Sequence, residues 1–101
     1  MVKHIILWKL DESRTSEEKA EIKKNMKRHL EDLMGKVPGL LEMQIHIDPL
    51  ASSNADVMLD ATLESEKALQ NYAVHPAHVA VADTYVRPYT VERVSIDYEI
   101  V

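Results

Sequence analysis

Two histidines and a tyrosine lie close together between residues 72 and 83, and these are residue types that transfer protons. His75 follows Tyr72 by three residues, and His78 follows His75 by three more. Histidine has an unperturbed pKa near neutrality, so it exchanges a proton at cellular pH. A tyrosine phenol donates a hydrogen bond and, where its pKa is tuned, a proton. The cluster is therefore a candidate for catalysis, for metal binding or for packing.

Tyr72 and His78 suit the removal of a proton next to a carbonyl group. Such a step needs a base of near-neutral pKa within hydrogen-bond reach of the proton, and His78 is the candidate. A phenol such as Tyr72 polarises the carbonyl and protonates the alkoxide that develops. Six residues separate the two, so a turn at His75-Pro76 has to bring them together. The alternative is that both side chains form hydrogen bonds that hold two short helices together.

His75 and His78 could instead bind a metal ion, because histidines at this spacing reach a single cation. Asp83 or Glu92 would have to complete the site, and no motif fixes either of them. Proline suits the first turn of a helix, so Pro76 favours a capping role for His75. We therefore predict no metal site and no cofactor.

The length and composition predict a single folded domain over residues 1–101. Hydrophobic residues make up 46% of the chain and charged residues 29%, which is ordinary for a globular protein. A domain of this size buries a limited share of its surface, so oligomerisation is a common source of added stability.

Charge and cysteine content exclude several classes of partner and site. The formal net charge is −5 and no basic patch interrupts it, so nucleic acids and anionic membranes are not expected to bind. The chain has no cysteine, which excludes disulfides, thiolate nucleophiles and zinc–thiolate sites. No signal-peptide pattern or long apolar run is present. We predict a cytoplasmic protein.

Hydrophobic periodicity predicts the order strand, helix, strand, strand, helix, strand. Period-two alternation indicates strands near residues 2–10, 41–47, 57–63 and 91–101. An apolar stripe indicates a helix from a Thr15–Glu18 capping box to about Met34, which Gly35 ends. Shorter helices follow Ser65 and begin at Pro76. This order is that of an α+β, ferredoxin-like βαββαβ fold, an antiparallel four-stranded sheet with helices on one face.

The sheet face without helices predicts a homodimer. Apolar side chains occur at positions expected on that face, namely Ile5, Leu7, Leu40 and Met58. Exposed apolar patches on small proteins mark interfaces, so we expect two copies to pack through their sheets. The alternative is a scatter of surface hydrophobic residues, which is normal.

Four segments of the chain resemble the stress-responsive dimeric A/B barrel family, known as Dabb. They are VKHIIL at 2–7, VPGL at 37–40, DVML at 56–59, and Tyr72 with HPAH at 75–78. The resemblance spans nearly the whole chain in the same order. It implies a ferredoxin-like protomer whose sheet meets that of a second copy to form a dimeric α/β barrel.

The resemblance also implies candidate site residues. Many members of the family have no known activity, but a plant branch is similar to polyketide cyclases, which close poly-β-keto chains by aldol condensation without a cofactor. That branch uses a histidine base and a tyrosine acid, which correspond to His78 and Tyr72. His4 corresponds to a further pocket histidine, and Trp8 is either core or cavity wall. Val57 stands where that branch has another pocket histidine, so the wall is less polar here.

Three functional hypotheses follow, and the sequence leaves open whether the protein is an enzyme. The first is a cofactor-free lyase or cyclase acting on a small, mostly apolar carbonyl or aromatic compound. The second is a binding or sensing module with the same pocket, and the third is a stress-associated assembly protein. The first requires Tyr72 and His78 to face one cavity. A sealed core in which His78 bonds only to the backbone would favour the third.

Overall fold

A computed structural model describes residues 1–101 as a four-stranded sheet with three helices on one side. The strands are β1 (Val2–Leu10), β2 (Leu40–His46), β3 (Val57–Leu63) and β4 (Thr90–Glu99), and the helices are α1 (Ser16–Glu31), α2 (Glu66–Val74) and α3 (Pro76–Val81). The strand order is β2-β3-β1-β4, and all neighbours are antiparallel. The predicted α+β, ferredoxin-like fold is confirmed. Every helix falls short of the length and hydrophobicity that crossing a bilayer requires.

Capping residues begin the helices where the sequence predicts. The Glu18 backbone N–H donates to Thr15 Oγ1 at 3.1 Å, and the Thr15 N–H donates to Glu18 Oε1 at 2.9 Å. This reciprocal pair satisfies two N–H groups that have no partner within α1. The Ser65 hydroxyl accepts from the Ala68 N–H at 3.1 Å and begins α2 in the same way.

α1 ends at Glu31, three residues before the predicted end at Met34. The Met34 N–H donates to the Glu31 carbonyl three residues earlier, a tighter turn than that of an α-helix. Gly35 then adopts a φ of +84°, which residues with a Cβ adopt at a cost. Met34 is consequently exposed and does not belong to the apolar stripe.

The helix-facing side of the sheet forms the core. Alternate residues of β1 point into it, as the period-two pattern predicts. They pack against inward residues of β2 and β3 and against one face of α1. The core comprises Ile6, Trp8, Leu10, Ile22, Met26, Leu30, Leu33, Val37, Leu40, Met43, Ile45, Val57, Leu59, Ala61, Leu63, Tyr72 and Val86.

The prediction that Leu40 faces the side of the sheet without helices is wrong. Leu40 pairs with Leu63, and the register shifts before Glu42 pairs with Thr62. The extra residue at this irregularity is Leu41. A bulge of this kind reverses the alternation of faces locally, so Leu40 is buried and Leu41 is exposed.

β4 is an edge strand that pairs with β1 and is exposed along almost its whole length. Its outward residues continue the apolar surface of β1, since Ile96 lies opposite Ile5 and Val94 opposite Leu7. Ile96 and Val94 are 61% and 67% exposed. We call Ile5, Leu7, Val94, Ile96 and Tyr98 the outer apolar face.

α3 continues directly into a π-helical turn, Ala82–Val86, which the sequence did not predict. π-helical turns are rare and occur frequently at functional sites. The Tyr85 ring in this turn stacks on His29 of α1, with ring centroids 3.7 Å apart. This contact joins the turn to the long helix, while Ala82 and Val86 are buried beneath it.

We predict that Gly39→Ala destabilises the fold more than Gly35→Ala. Both glycines have a positive φ, but a Cβ at Gly39 would lie 2.7 Å from the Ala68 Cβ, whereas a Cβ at Gly35 meets nothing within 4 Å. The unfolding free energy in urea should fall by about 1 kcal/mol for Gly35→Ala, from backbone strain alone. Overpacking should remove a further 1–3 kcal/mol or so in Gly39→Ala. Equal losses would contradict the close approach of Gly39 to α2.

Candidate functional site

A cavity of about 810 Å³ lies between the inward sides of β1 and β4 and the helices α2 and α3. Its volume falls within the range of small-molecule sites, and it opens to solvent. Four of the residues predicted from the sequence border it: His4, Trp8, Tyr72 and His78. The remaining one, Val57, is sealed in the core and lies outside the lining.

The Tyr72 hydroxyl is buried against the cavity without a hydrogen-bond partner. Only 1% of the residue is exposed. Burial raises the pKa of the Tyr72 phenol well above its usual value, and the positive charge of Arg93 opposes this rise only in part. The hydroxyl is therefore held in its protonated form, on a ring that borders the cavity.

His78 presents an unprotonated nitrogen. Its Nδ1 lies 3.2 Å from the Ala73 carbonyl oxygen, and because a carbonyl only accepts, Nδ1 is the protonated nitrogen. Nε2 is then left with a free lone pair. Burial lowers the pKa of the His78 imidazole below its ordinary value of 6.5, and the Ala73 hydrogen bond opposes this shift. His78 is thus neutral at pH 7 and has the properties of a base.

The turn between α2 and α3 brings the two side chains together. α2 ends at Val74, and His75 caps α3 by accepting a hydrogen bond from the Ala77 N–H at Nδ1, at 3.1 Å. The Tyr72 and His78 ring centroids are consequently 4.3 Å apart. The capping prediction for His75 is confirmed. No group of three or more possible ligand side chains is placed to hold a metal ion.

His4 is held by a carboxylate that the sequence did not predict. His4 Nδ1 hydrogen-bonds to Asp97 Oδ1, and the two residues face each other across the β1–β4 pairing. The His4 ring meets the edge of Tyr72, with centroids 6.0 Å apart. A carboxylate on one ring nitrogen orients an imidazole and leaves the other nitrogen for a ligand.

The signal that would have revealed Asp97 is the polarity of alternate residues in β4. Val94, Ile96 and Tyr98 of this strand point outwards, and the positions that alternate with them point inwards and are all polar: Arg93, Ser95, Asp97 and Glu99. A strand face directed towards helices is ordinarily apolar. A polar one indicates a solvent-filled cavity in place of packed core.

The sequence matches the family described as Stress responsive A/B Barrel Domain, or Dabb, over residues 2–100. The chain belongs to the Dabb family. A sequence comparison with curated proteins gives no match.

Solved structures share the fold of this Dabb domain. A dimeric ferredoxin-like protein from Bacteroides fragilis is 26% identical, with a TM-score of 0.92, covering 98% of this chain and 95% of the other. A dimeric ferredoxin-like protein from Thermobifida fusca is 25% identical, with a TM-score of 0.80 and coverages of 98% and 90%. A hydroxynitrile lyase from Passiflora edulis is 16% identical, with a TM-score of 0.72 and coverages of 98% and 92%.

We predict that His78 titrates below pH 6.5 and is protonated on Nδ1 when neutral. Long-range ¹H–¹⁵N NMR should show this tautomer, and His78→Gln would assign its signals. Because the unfolded chain binds this proton more readily than the folded protein, acidification below about pH 6.5 should lower the unfolding free energy through His78. A midpoint at or above 6.5, or a proton on Nε2, would contradict the structure of the site.

Proposed function

We propose that this protein is a cofactor-free lyase or cyclase that moves protons on a small carbonyl compound. His78 acts as the base and Tyr72 as the acid. The observation that supports this most strongly is the buried Tyr72 hydroxyl without a partner, on a ring that packs against the His78 ring and borders the same cavity. Buried polar groups nearly always have a hydrogen-bond partner, and a ligand carbonyl oxygen would supply one here.

The proposed step begins with the ligand carbonyl accepting a hydrogen bond from the Tyr72 hydroxyl. His78 Nε2 removes a proton from the neighbouring carbon, and the electron pair of that C–H bond forms the enolate. In a cyclisation the enolate carbon attacks a second carbonyl, and Tyr72 protonates the resulting alkoxide. The proton on His78 then returns to the tyrosinate, so both residues are restored.

His4 and Trp8 complete the site in this proposal. His4, oriented by Asp97, offers the ligand a second hydrogen bond. Trp8 forms an apolar wall with Ile6 and Val86, against which the carbon chain of the ligand packs. The hydroxynitrile lyase with the same fold supports the capacity of this architecture for lyase chemistry; at 16% identity that support concerns the fold alone.

The other two hypotheses differ in what they require of the cavity. An assembly role requires a sealed core with His78 bonded only to the backbone. The hydrogen bond of the His78 ring is indeed to the backbone, but the cavity is open and lined by ionisable groups. A binding module would hold the same ligand without exchanging its protons. Proton exchange therefore separates an enzyme from a binding protein.

We also propose that two copies pair through the outer apolar face. Similar structures from two bacteria are dimeric. In this chain Val94, Ile96 and Tyr98 expose about half to two thirds of their surface on the side of the sheet away from the helices. A second copy would bury this surface, and burial of apolar area is the main driving force for such association.

We predict that His78→Ala abolishes activity and Tyr72→Phe lowers it, and that neither change unfolds the protein. Tyr72→Phe deletes an unpartnered buried hydroxyl, so the unfolding free energy should stay constant or rise by about 1 kcal/mol. His78→Ala should abolish the exchange of protons next to a ketone, measured by ¹H NMR with 2-octanone in D₂O. Tyr72→Phe should slow that exchange by roughly a hundredfold.

Thermal unfolding and proton exchange in a control variant test this prediction. Thermal unfolding of Tyr72→Phe separates a site role from a packing role, because a hydroxyl that held the helices together would lower the melting temperature when removed. His46→Ala serves as the matched control for His78→Ala, because it removes an exposed histidine of β2 that lies outside the cavity lining. Exchange that persists in His78→Ala would exclude His78 as the base.

We predict that Ile96→Glu converts a dimer into a monomer, because a charge in a desolvated apolar interface is strongly unfavourable. Light scattering after size-exclusion chromatography measures the mass. Val74→Glu is the control, since Val74 is 74% exposed at the end of α2 and lies away from the outer face. A wild-type protein of monomer mass, or an Ile96→Glu protein of dimer mass, would contradict pairing through this face.

A further inference from the structure

Arg93 projects from the inward side of β4 into the same cavity as Tyr72 and His78. It lies opposite Trp8 in the β1–β4 pairing. The side-chain hydrogen bond of its guanidinium is to the Ser95 hydroxyl, a neutral group, at 3.4 Å. No carboxylate lies within ion-pair distance of Arg93, so this charge is free to bind a ligand.

The other charged groups of the cavity wall either have partners or lie at its far end. Arg87 pairs with Asp83, and Asp97 with His4. Glu99 lies opposite Val2 and within 3.6 Å of the N-terminal amine. Glu66 lies at the same end, because it begins α2 only three residues after Leu63, and Leu63 also pairs with Val2. The cavity is thus positive at the Arg93 end and negative at the Val2 end, about 20 Å apart along an extended strand.

The positive end belongs to the same cavity as the proposed reacting groups. The charge of Arg93 lowers the pKa of both the Tyr72 phenol and the His78 imidazole, in each case as a minor effect beside burial. Because Arg93, Tyr72 and His78 line one cavity, an anionic group bound at Arg93 would share that space with the ligand carbon from which His78 takes a proton. Arginine is suited to this task, because its planar guanidinium binds a carboxylate through two parallel hydrogen bonds.

We propose that the substrate is an oxo acid whose carboxylate binds Arg93 while its ketone lies between Tyr72 and His78. This inference rests on the proposed function and defines its substrate class. The carbon chain would lie along the apolar wall formed by Trp8, Ile6 and Val86. The substrate is then an anion, in contrast to the mostly apolar carbonyl compound that the sequence suggested.

Arg93 has a defined part in the proton-transfer step. When the C–H bond next to the ketone breaks, the proton moves to His78 Nε2 and the electron pair forms the enolate, whose oxygen keeps the Tyr72 hydrogen bond. An oxo acid then bears two negative charges, one on the carboxylate and one on the enolate. Arg93 neutralises the first, which lowers the repulsion that opposes formation of the second.

The test compares an oxo acid with a ketone of matching chain length. Isothermal titration measures the affinity of 2-oxooctanoate and of 2-octanone for the wild type and for Arg93→Gln. The wild type should prefer the acid by roughly tenfold, the size expected of a hydrogen bond to a charged group. Arg93→Gln should remove this preference and leave 2-octanone binding unchanged, whereas Arg93→Lys, which keeps the charge, should retain part of it.

Arg28→Gln is the matched control, because it changes the net charge of the protein by the same amount as Arg93→Gln. Arg28 is exposed on α1 and borders no part of the cavity. Equal binding of the acid to the wild type and Arg93→Gln would overturn the oxo-acid proposal, as would an equal loss in Arg28→Gln. If 2-octanone nevertheless exchanges its protons through His78, the proposed lyase function still holds although the oxo-acid proposal is wrong. Loss of acid binding in Arg93→Gln with no exchange of either probe would support the anion site and refute the lyase function.

Discussion

The antiparallel pairing of β1 with β4 determines which side chains meet in the cavity and which lie on the outer apolar face. His4 lies opposite Asp97 and Trp8 opposite Arg93 on one side of the sheet, while Ile5 lies opposite Ile96 on the other. Side chains alternate along a strand, so a slip of one residue would exchange the two sides completely. A slip would bring apolar residues to the cavity and charged ones to the opposite face. Both the site and the proposed dimer contact depend on this register.

The helices contribute the other half of the site, because they cover part of the sheet and leave β4 uncovered. α1 packs over β2, α2 lies across β1, β2 and β3, and α3 packs against α1 and α2, while β4 is left exposed. The short connection at His75 places Tyr72 and His78 next to each other at the edge of this open region. Burial raises the pKa of the Tyr72 phenol and lowers that of the His78 imidazole, so both shifts favour the neutral forms, a protonated phenol and an unprotonated base.

Features that depend on neighbouring residues in the chain could be predicted from the sequence. The capping box at Thr15, the cap at Ser65 and the turn at His75-Pro76 all involve contacts within a few residues, and each occurs where its pattern indicates. The period-two patterns predicted four strands because half-buried strands alternate in polarity. The family resemblance and the fold it implied were correct for the same reason, since the matching segments fall on these elements.

Features that depend on pairing between distant segments could not be predicted. The irregularity near Leu40 arises where β2 meets β3, and nothing in the local sequence marks the extra residue. Asp97 lies 93 positions from His4, so their contact emerges only once β1 and β4 are paired. Val57 is apolar and lies in the core, as its polarity alone would predict. The family resemblance instead implied a pocket position for this residue.

The exposure of both sides of β4 couples two equilibria that would otherwise be independent. The strand forms one wall of the cavity with its inward residues and half of the proposed contact between copies with its outward ones. A ligand that restrains β4 through Arg93 would reduce the conformational entropy lost when two copies associate. Linkage requires the reverse effect to be of equal size, so association would tighten ligand binding by the same factor. Affinity would then fall on dilution of the protein, and an affinity independent of protein concentration would show that the two sides of the strand act separately.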